Sequence, residues 1–246
     1  RLLDAGKVLK SPQPTQPMTD TADYTFSPIG IIRSPFVEKF GIPRQPGLAP
    51  AVRAQLELLP PYNDPQALAG LEQCSHLWLQ FVFHSPPSDQ WRPRVRPPRL
   101  GGNRSLGVFA TRSPLRPNPI GLSVVKLESV KQESGKLWLE LSGIDLLDGT
   151  PVLDIKPYVP YTDSLPEAEN RFADSAPEWV EVVFTPEAEA GCRVLGGRTG
   201  EDWQALVRQI LQQDPRPQYQ KPDPTRRYGM TLKDAEVRWF YQPDDS

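Results

Sequence analysis

Apolar and polar residues alternate along most of the first two thirds of the chain, and a period of two predicts strands rather than helices. In "AVRAQLELLPPY", Val52, Ala54, Leu56 and Leu58 alternate with polar neighbours, the pattern of a half-buried strand. "GLSVVKLESVKQES" alternates in the same way. "KLWLELSGIDLLDGT" follows it across Ser134-Gly135, so the two predict a hairpin. Ser75–His84 ("SHLWLQFVFH") is a continuous apolar and aromatic run, which predicts a strand covered on both faces. "YTFSPIGIIRSPF" (Tyr24–Phe36) predicts strand, turn and strand, "LGVFAT" a short strand, and "PVLDIKPYVPY" a last strand stopped by proline. Only "DPQALAGLEQC" (Asp64–Cys74) breaks the rhythm. Asp64 followed by Pro65 marks the start of a short helix.

After Tyr161 the texture changes. "TDSLPEAENRFADSAPE" is an acidic linker, and "WVEVVFT" predicts a strand. Trp203, Leu206, Val207, Ile210 and Leu211 then fall on one face of a helix closed by Asp214-Pro215. "RRYGMTLKDAEVRWFYQ" predicts a hairpin around Lys233-Asp234. The chain divides into a flexible leader (1–23, with Met18 as a candidate start), a β domain (24–161) and a small α+β domain (162–246). Six or seven short strands and one helix fit a mainly β fold, a small closed antiparallel barrel, with a sandwich as the alternative. There is no βαβ rhythm and no internal repeat.

Composition adds three constraints. Thirty prolines in 246 residues are more than twice the usual share of about 5% and predict many loops. Cys74 and Cys192 stand far apart without metal-ligand spacing, and the only histidines are His76 and His84. Neither a disulfide framework nor a metal centre is expected, and a reducing, cytoplasmic setting is. The longest apolar run, near Leu77–Phe83, is too short to span a bilayer.

Charge is distributed unevenly. The chain carries −2 overall, but Gln90–Leu127 has no acid at all. Arg92, Arg94, Arg96, Arg99, Arg104, Arg112, Arg116 and Lys126 give that window +8, which leaves −10 elsewhere. A local field of this kind selects anionic partners such as RNA or a phosphorylated ligand. The window ends in "GVFATRSPLRPNPIGLS", where Arg112 and Arg116 flank a turn stiffened by Pro117-Asn118-Pro119. Preorganised guanidinium groups grip an anion with little further loss of entropy. Asn118 serves either a base edge or the turn.

Further acids and histidines complete the inventory. "SGIDLLDGTPVLDIKPY" holds Asp145, Asp148 and Asp154. Asp148 sits in a turn and serves either as cap or as functional acid. Asp145 and Asp154 read as strand residues in need of a partner, which the basic loop can supply. His84 ends an apolar strand beside a loop, a position suited to a site or to a structural cap. No phosphate-loop or dinucleotide fingerprint is present.

The segments "FSPIGIIRSPF", "KFGIPRQPGL", "HLWLQFVFH", "RPRVRPPRLGG", "GVFATRSPLRPNPIGLS" and "DGTPVLDIKPYVPY" occur in an order that resembles the TsaA-like (TrmO) family. The resemblance implies a β-barrel tRNA (adenine-N6)-methyltransferase that uses S-adenosylmethionine. It further implies a homodimer with the cofactor near the subunit interface, and threonylcarbamoyladenosine at tRNA position 37 as target. The C-terminal domain would help to hold tRNA. Carried over residue by residue, cofactor contacts fall on Gln45, Pro46, Gly47, His84, Ser85, Arg112, Leu122 and the stretch Ser142, Gly143, Ile144 and Asp145. The family often has Gly-Ser where this chain has Ser142-Gly143. Substrate contacts fall on Arg92, Arg94, Arg96, Arg99, Arg116 and Asn118, and Asp148 or His84 is expected as general base. The alternative is a non-catalytic RNA- or nucleotide-binding barrel using the same groove.

Overall fold

The computed structural model describes residues 23–85, 90–97, 104–216 and 223–242. The leader before Asp23 and Arg99 lie outside the described residues. Among the described residues the first domain contains eight strands: β1 (Gly30–Arg33), β2 (Arg53–Leu58), β3 (His76–Val82), β4 (Arg94–Val95), β5 (Leu106–Gly107), β6 (Ile120–Glu133), β7 (Lys136–Ser142) and β8 (Pro151–Pro157). Six of them close an antiparallel barrel in the order β1-β2-β7-β6-β3-β8, while β4 and β5 form a separate two-stranded ribbon.

The predicted alternation decides what faces inward. Leu56, Leu77, Leu79, Phe81, Val125, Leu139, Leu141 and Val152 fill the barrel, all buried. One position on β6 has no room for a side chain. Gly121 pairs with Phe81, and a methyl group there would lie 2.2 Å from the Phe81 ring. The β6–β7 hairpin turns as expected, with Ser134 and Gly135 both at positive φ (52° and 77°).

Four expectations for this domain change. Between Tyr24 and Phe36 only β1 is a strand, and Tyr24 and Phe26 are exposed. Asp64–Cys74 forms two single turns of 3₁₀ helix, because Gly70 at φ 87° breaks the run; Asp64 does cap the first. Strand β3 stops at Val82, short of His84, and buries only alternate residues rather than both faces. In "LGVFAT" only β5 is strand, and Val108–Ala110 coils into a turn.

A short α1 (Pro160–Asp163) follows β8 and is tied to β3 by Trp78 Nε1 donating to Asp163 (2.9 Å), and among the described residues the C-terminal unit holds α2 (Pro186–Thr199), α3 (Trp203–Leu211), β9 (Tyr228–Leu232) and β10 (Ala235–Trp239). The predicted stripe on α3 is buried in full, and β9 and β10 form the expected hairpin through Lys233 at φ 54°. Trp179–Thr185 forms no strand; Val180 N–H donates to Gln212 C=O (2.9 Å). Helix α2 was not predicted, since it buries no residue and so shows no apolar stripe. Its ends were nonetheless written in the chain: Thr185 caps it, Pro186 opens it and Gly200 closes it at φ 72°.

Candidate active site

Three loops meet around the inward face of β6. The first joins β1 to β2 and carries Gln45-Pro46-Gly47. The second is the Arg112–Asn118 turn, and the third joins β7 to β8 and carries Gly143–Gly149. Gly47 N–H donates to Gly143 C=O (2.8 Å), and Gly143 N–H donates to Val52 C=O (3.0 Å). Gly143 makes this approach at φ 71°, with a would-be methyl 3.4 Å from Gly47 Cα, so backbone alone lines the contact. Arg112 donates from its guanidinium to Gln45 Oε1 (2.5 Å). Residues separated by 67 positions are thereby brought together.

Asp145 lies in the loop after β7, not on a strand. Ser123 Oγ donates to its Oδ1 (2.7 Å). Ser123 is the one polar side chain among the inward positions Gly121, Ser123, Val125 and Leu127, and it is 2% exposed. Burial pushes the Asp145 carboxyl up to about 6, against the opposing pull of Ser123, its own amide and the Arg112 charge. Its partner is a buried hydroxyl first and the basic loop only through the field of Arg112. Asp154, by contrast, remains on β8 and pairs with Lys156 (2.7 Å).

Ser142 is spoken for. Its hydroxyl donates to Glu128 Oε1 (2.6 Å), and Glu128 also pairs with Arg53 (2.6 Å) and Lys126 (3.2 Å). Glu128 stands where the β6–β7 register slips between Leu127 and Ser129. These charges and the Ser142 bond hold the Glu128 carboxyl below the usual range. The Ser142 hydroxyl hydrogen is thus used within the barrel wall, and Ile144, two residues on, is fully buried.

The candidate bases differ. Asp148 Oδ1 accepts from Ser34 N–H (2.9 Å), while Asp148 N–H donates to Phe36 C=O (2.8 Å), so Asp148 ties the third loop to the end of β1. His84 and Ser85 are exposed just past β3, and a methyl at Gly149 would lie 3.9 Å from His84 Nε2. The arginines divide too. Arg116 is half-buried and donates to Thr111 C=O (2.9 Å) and Ser113 C=O (3.3 Å), bracing its own turn. Asn118 C=O accepts from Ile120 N–H (2.7 Å). Arg92, Arg94 and Arg96 are exposed, with Arg94 anchored to Ser105 (2.9 Å to its carbonyl). Leu122 is 51% exposed and points away from Ser123, on the outer face of β6.

Sequence reasoning did not single out Ser123, Glu128 or Arg53. Only Ser123 left a signal, a polar residue on an inward stripe. Among the described residues no three His, Cys, Asp or Glu side chains are grouped to hold a metal ion, and no helix is long and apolar enough to cross a membrane.

A closed barrel whose loops bring a guanidinium and a carboxylate together beside an exposed basic ribbon offers groups of both charge signs, a class of site suited to a polar, partly charged guest. Comparison with known proteins then places it: the chain belongs to the tRNA-methyltransferase O family. The model of the tRNA-methyltransferase O N-terminal domain matches residues 31–164, and that of the TrmO C-terminal domain matches residues 177–246. The chain is 49% identical over 220 residues to the tRNA (adenine(37)-N6)-methyltransferase of Escherichia coli, covering 89% of this chain and 93% of that protein. It is 58% identical over 222 residues to RcsF of Pseudomonas aeruginosa, whose name assigns it provisionally to the S-adenosylmethionine-dependent methyltransferases; 90% of this chain and 94% of that protein are covered. The crystal structure of TrmO from Pseudomonas aeruginosa superposes with a TM-score of 0.76 at 50% identity, covering 92% of this chain and 95% of that one.

Proposed function

We propose that this protein transfers a methyl group from S-adenosylmethionine to N6 of threonylcarbamoyladenosine at position 37 of tRNA, acting as a homodimer in the cytoplasm. The observation that supports the reading is the set of contacts that joins Arg112 to Gln45, Gly47 to Gly143 and Asp145 to Ser123, with the Arg112 charge acting on Asp145. The donor set fits S-adenosylmethionine. A carboxylate suits its amino or hydroxyl groups, a guanidinium its carboxylate, and backbone N–H and C=O groups its adenine edge.

S-adenosylmethionine supplies an electrophilic methyl on sulfur. The chain's own task is to hold that methyl in line with N6 at near-contact distance. Arg112 and Asp145 fix the polar ends, and Gln45 keeps Arg112 aimed. The N6–methyl bond forms as the sulfur–methyl bond breaks, and the N6 proton must leave. His84, exposed beside the Gly149 turn, takes that proton, whereas Asp148 is committed to Ser34. Arg92, Arg94 and Arg96 offer the tRNA backbone a positive approach, and Arg116 and Asn118 keep the turn in shape. Ile120 (41% exposed) and Leu122 share the outer face of β6, an apolar strip suited to a second copy. The aromatic hairpin of the C-terminal unit, with Arg227 4.0 Å over Phe240 and Arg226 4.9 Å over Tyr228, supports a role in gripping tRNA.

Mass spectrometry of tRNA nucleosides from cells with and without the gene tests the substrate. Methylated threonylcarbamoyladenosine should vanish on deletion, and an unchanged level would refute the assignment.

A further inference from the structure

The Gln45–Gly47 loop has the barrel on one side and the C-terminal unit on the other. Its inner contacts are those to Gly143 and Arg112. Its outer contacts run along its whole length. Pro35 C=O accepts from Lys233 N–H (2.8 Å), and Phe36 bridges Leu232. Glu38 Oε1 accepts from Thr231 N–H (2.6 Å), and Phe40 stacks on Trp239 (centroids 5.9 Å apart). Arg44 donates to Arg216 C=O (3.4 Å). Beyond Gly47, Gln213 Nε2 donates to Leu48 C=O (3.4 Å), and Ala51 N–H donates to Gln209 Oε1 (2.7 Å).

A segment without regular structure keeps one conformation only if something outside it satisfies its backbone. Here that something is α3 and the β9–β10 hairpin. We infer that the C-terminal unit is a positioning element for the methyl donor: Gln209, on α3, and Gln213, just past its end, set the place of Gln45 and Gly47 from behind. The inference rests on the reading that this loop contacts S-adenosylmethionine. It gives the unit a part in cofactor binding that is separate from any grip on tRNA.

The test uses the full chain with Gln209→Met, which keeps the length of the side chain and removes the acceptor, and Gln209→Glu, which keeps an acceptor. S-adenosylmethionine binding is followed by calorimetry, turnover is measured with tRNA, and amide hydrogen exchange is followed over residues 44–51. Gln209→Met should weaken the donor's Kd and KM by about tenfold, the scale of one lost hydrogen bond to a part-buried amide. At saturating donor, kcat and the KM for tRNA should stay near wild type. Exchange should quicken in the loop and not in the barrel strands, and Gln209→Glu should restore both readouts. If the wild-type chain binds the donor and Gln209→Met binds it equally well, the inference fails and the cofactor reading stands. If the wild-type chain binds no donor, the cofactor reading fails and the inference with it.

Discussion

Replacing Asp145 with asparagine should make the protein more stable at neutral pH while weakening its hold on the methyl donor. The carboxyl sits at about 6 in the folded chain against an ordinary 3.8. A group raised in this way contributes stability below its unfolded value and loses it as pH rises through the folded one. Above pH 6 the wild-type chain therefore carries a penalty of up to ~3 kcal/mol, from roughly two pK units at about 1.36 kcal/mol each. Asp145 is partly open to solvent, and screening brings the usable figure nearer ~1.5 kcal/mol. Asparagine does not titrate and keeps an acceptor for Ser123. In a chain of this size ~1.5 kcal/mol raises Tm by about 3–6 °C. Thermal melts at pH 7.5 and pH 5 provide the assay, and about half of the gain should be gone at pH 5, where the wild-type carboxyl is mostly protonated. Donor affinity, followed by calorimetry, should fall in the same variant. A variant less stable than wild type by the same amount at both pH values would refute the argument. It would mean that the attraction of Arg112 outweighs the burial of the carboxylate.

Two further outcomes follow from other contacts. Arg112→Ala should abolish donor binding at millimolar concentration with an unchanged circular dichroism spectrum, since its guanidinium holds Gln45 and is the proposed partner of the donor's carboxylate; wild-type affinity would count against the site. Gly121→Ala forces a methyl into the Phe81 ring and should lower stability by about 1–3 kcal/mol, read as the midpoint in denaturant; an unmoved midpoint would mean that the barrel interior is looser than its packing implies.

Much of the first domain was legible because a barrel strand shows its faces every two residues. Strands β2, β6 and β7 and the Ser134-Gly135 turn followed from alternation and turn chemistry alone. Helix α3 followed from its stripe. Helix α2 and the unpaired Trp179–Thr185 segment did not. The first packs too lightly to leave an apolar period, and the second has strand composition without a ladder partner. The candidate site was proposed by motif, which assigned Arg112 to the cofactor and Arg116 to the substrate but said nothing of what either touches within the chain. Only the fold turned Arg112 toward Gln45 and Arg116 back onto Thr111 and Ser113.

By itself, then, the sequence determined the alternating strands β2, β6 and β7, the stiff basic turn and the family. Those depend on local periods, on proline geometry and on a long contiguous signature. Tertiary structure alone decided which groups meet. Ser123 reaches Asp145 across 22 positions, Glu128 takes the Ser142 hydroxyl, and Gln209 holds Ala51 from 158 positions away. Each of these contacts exists because the barrel closed and the C-terminal unit packed against its longest loop, and no local pattern in the chain encodes either event.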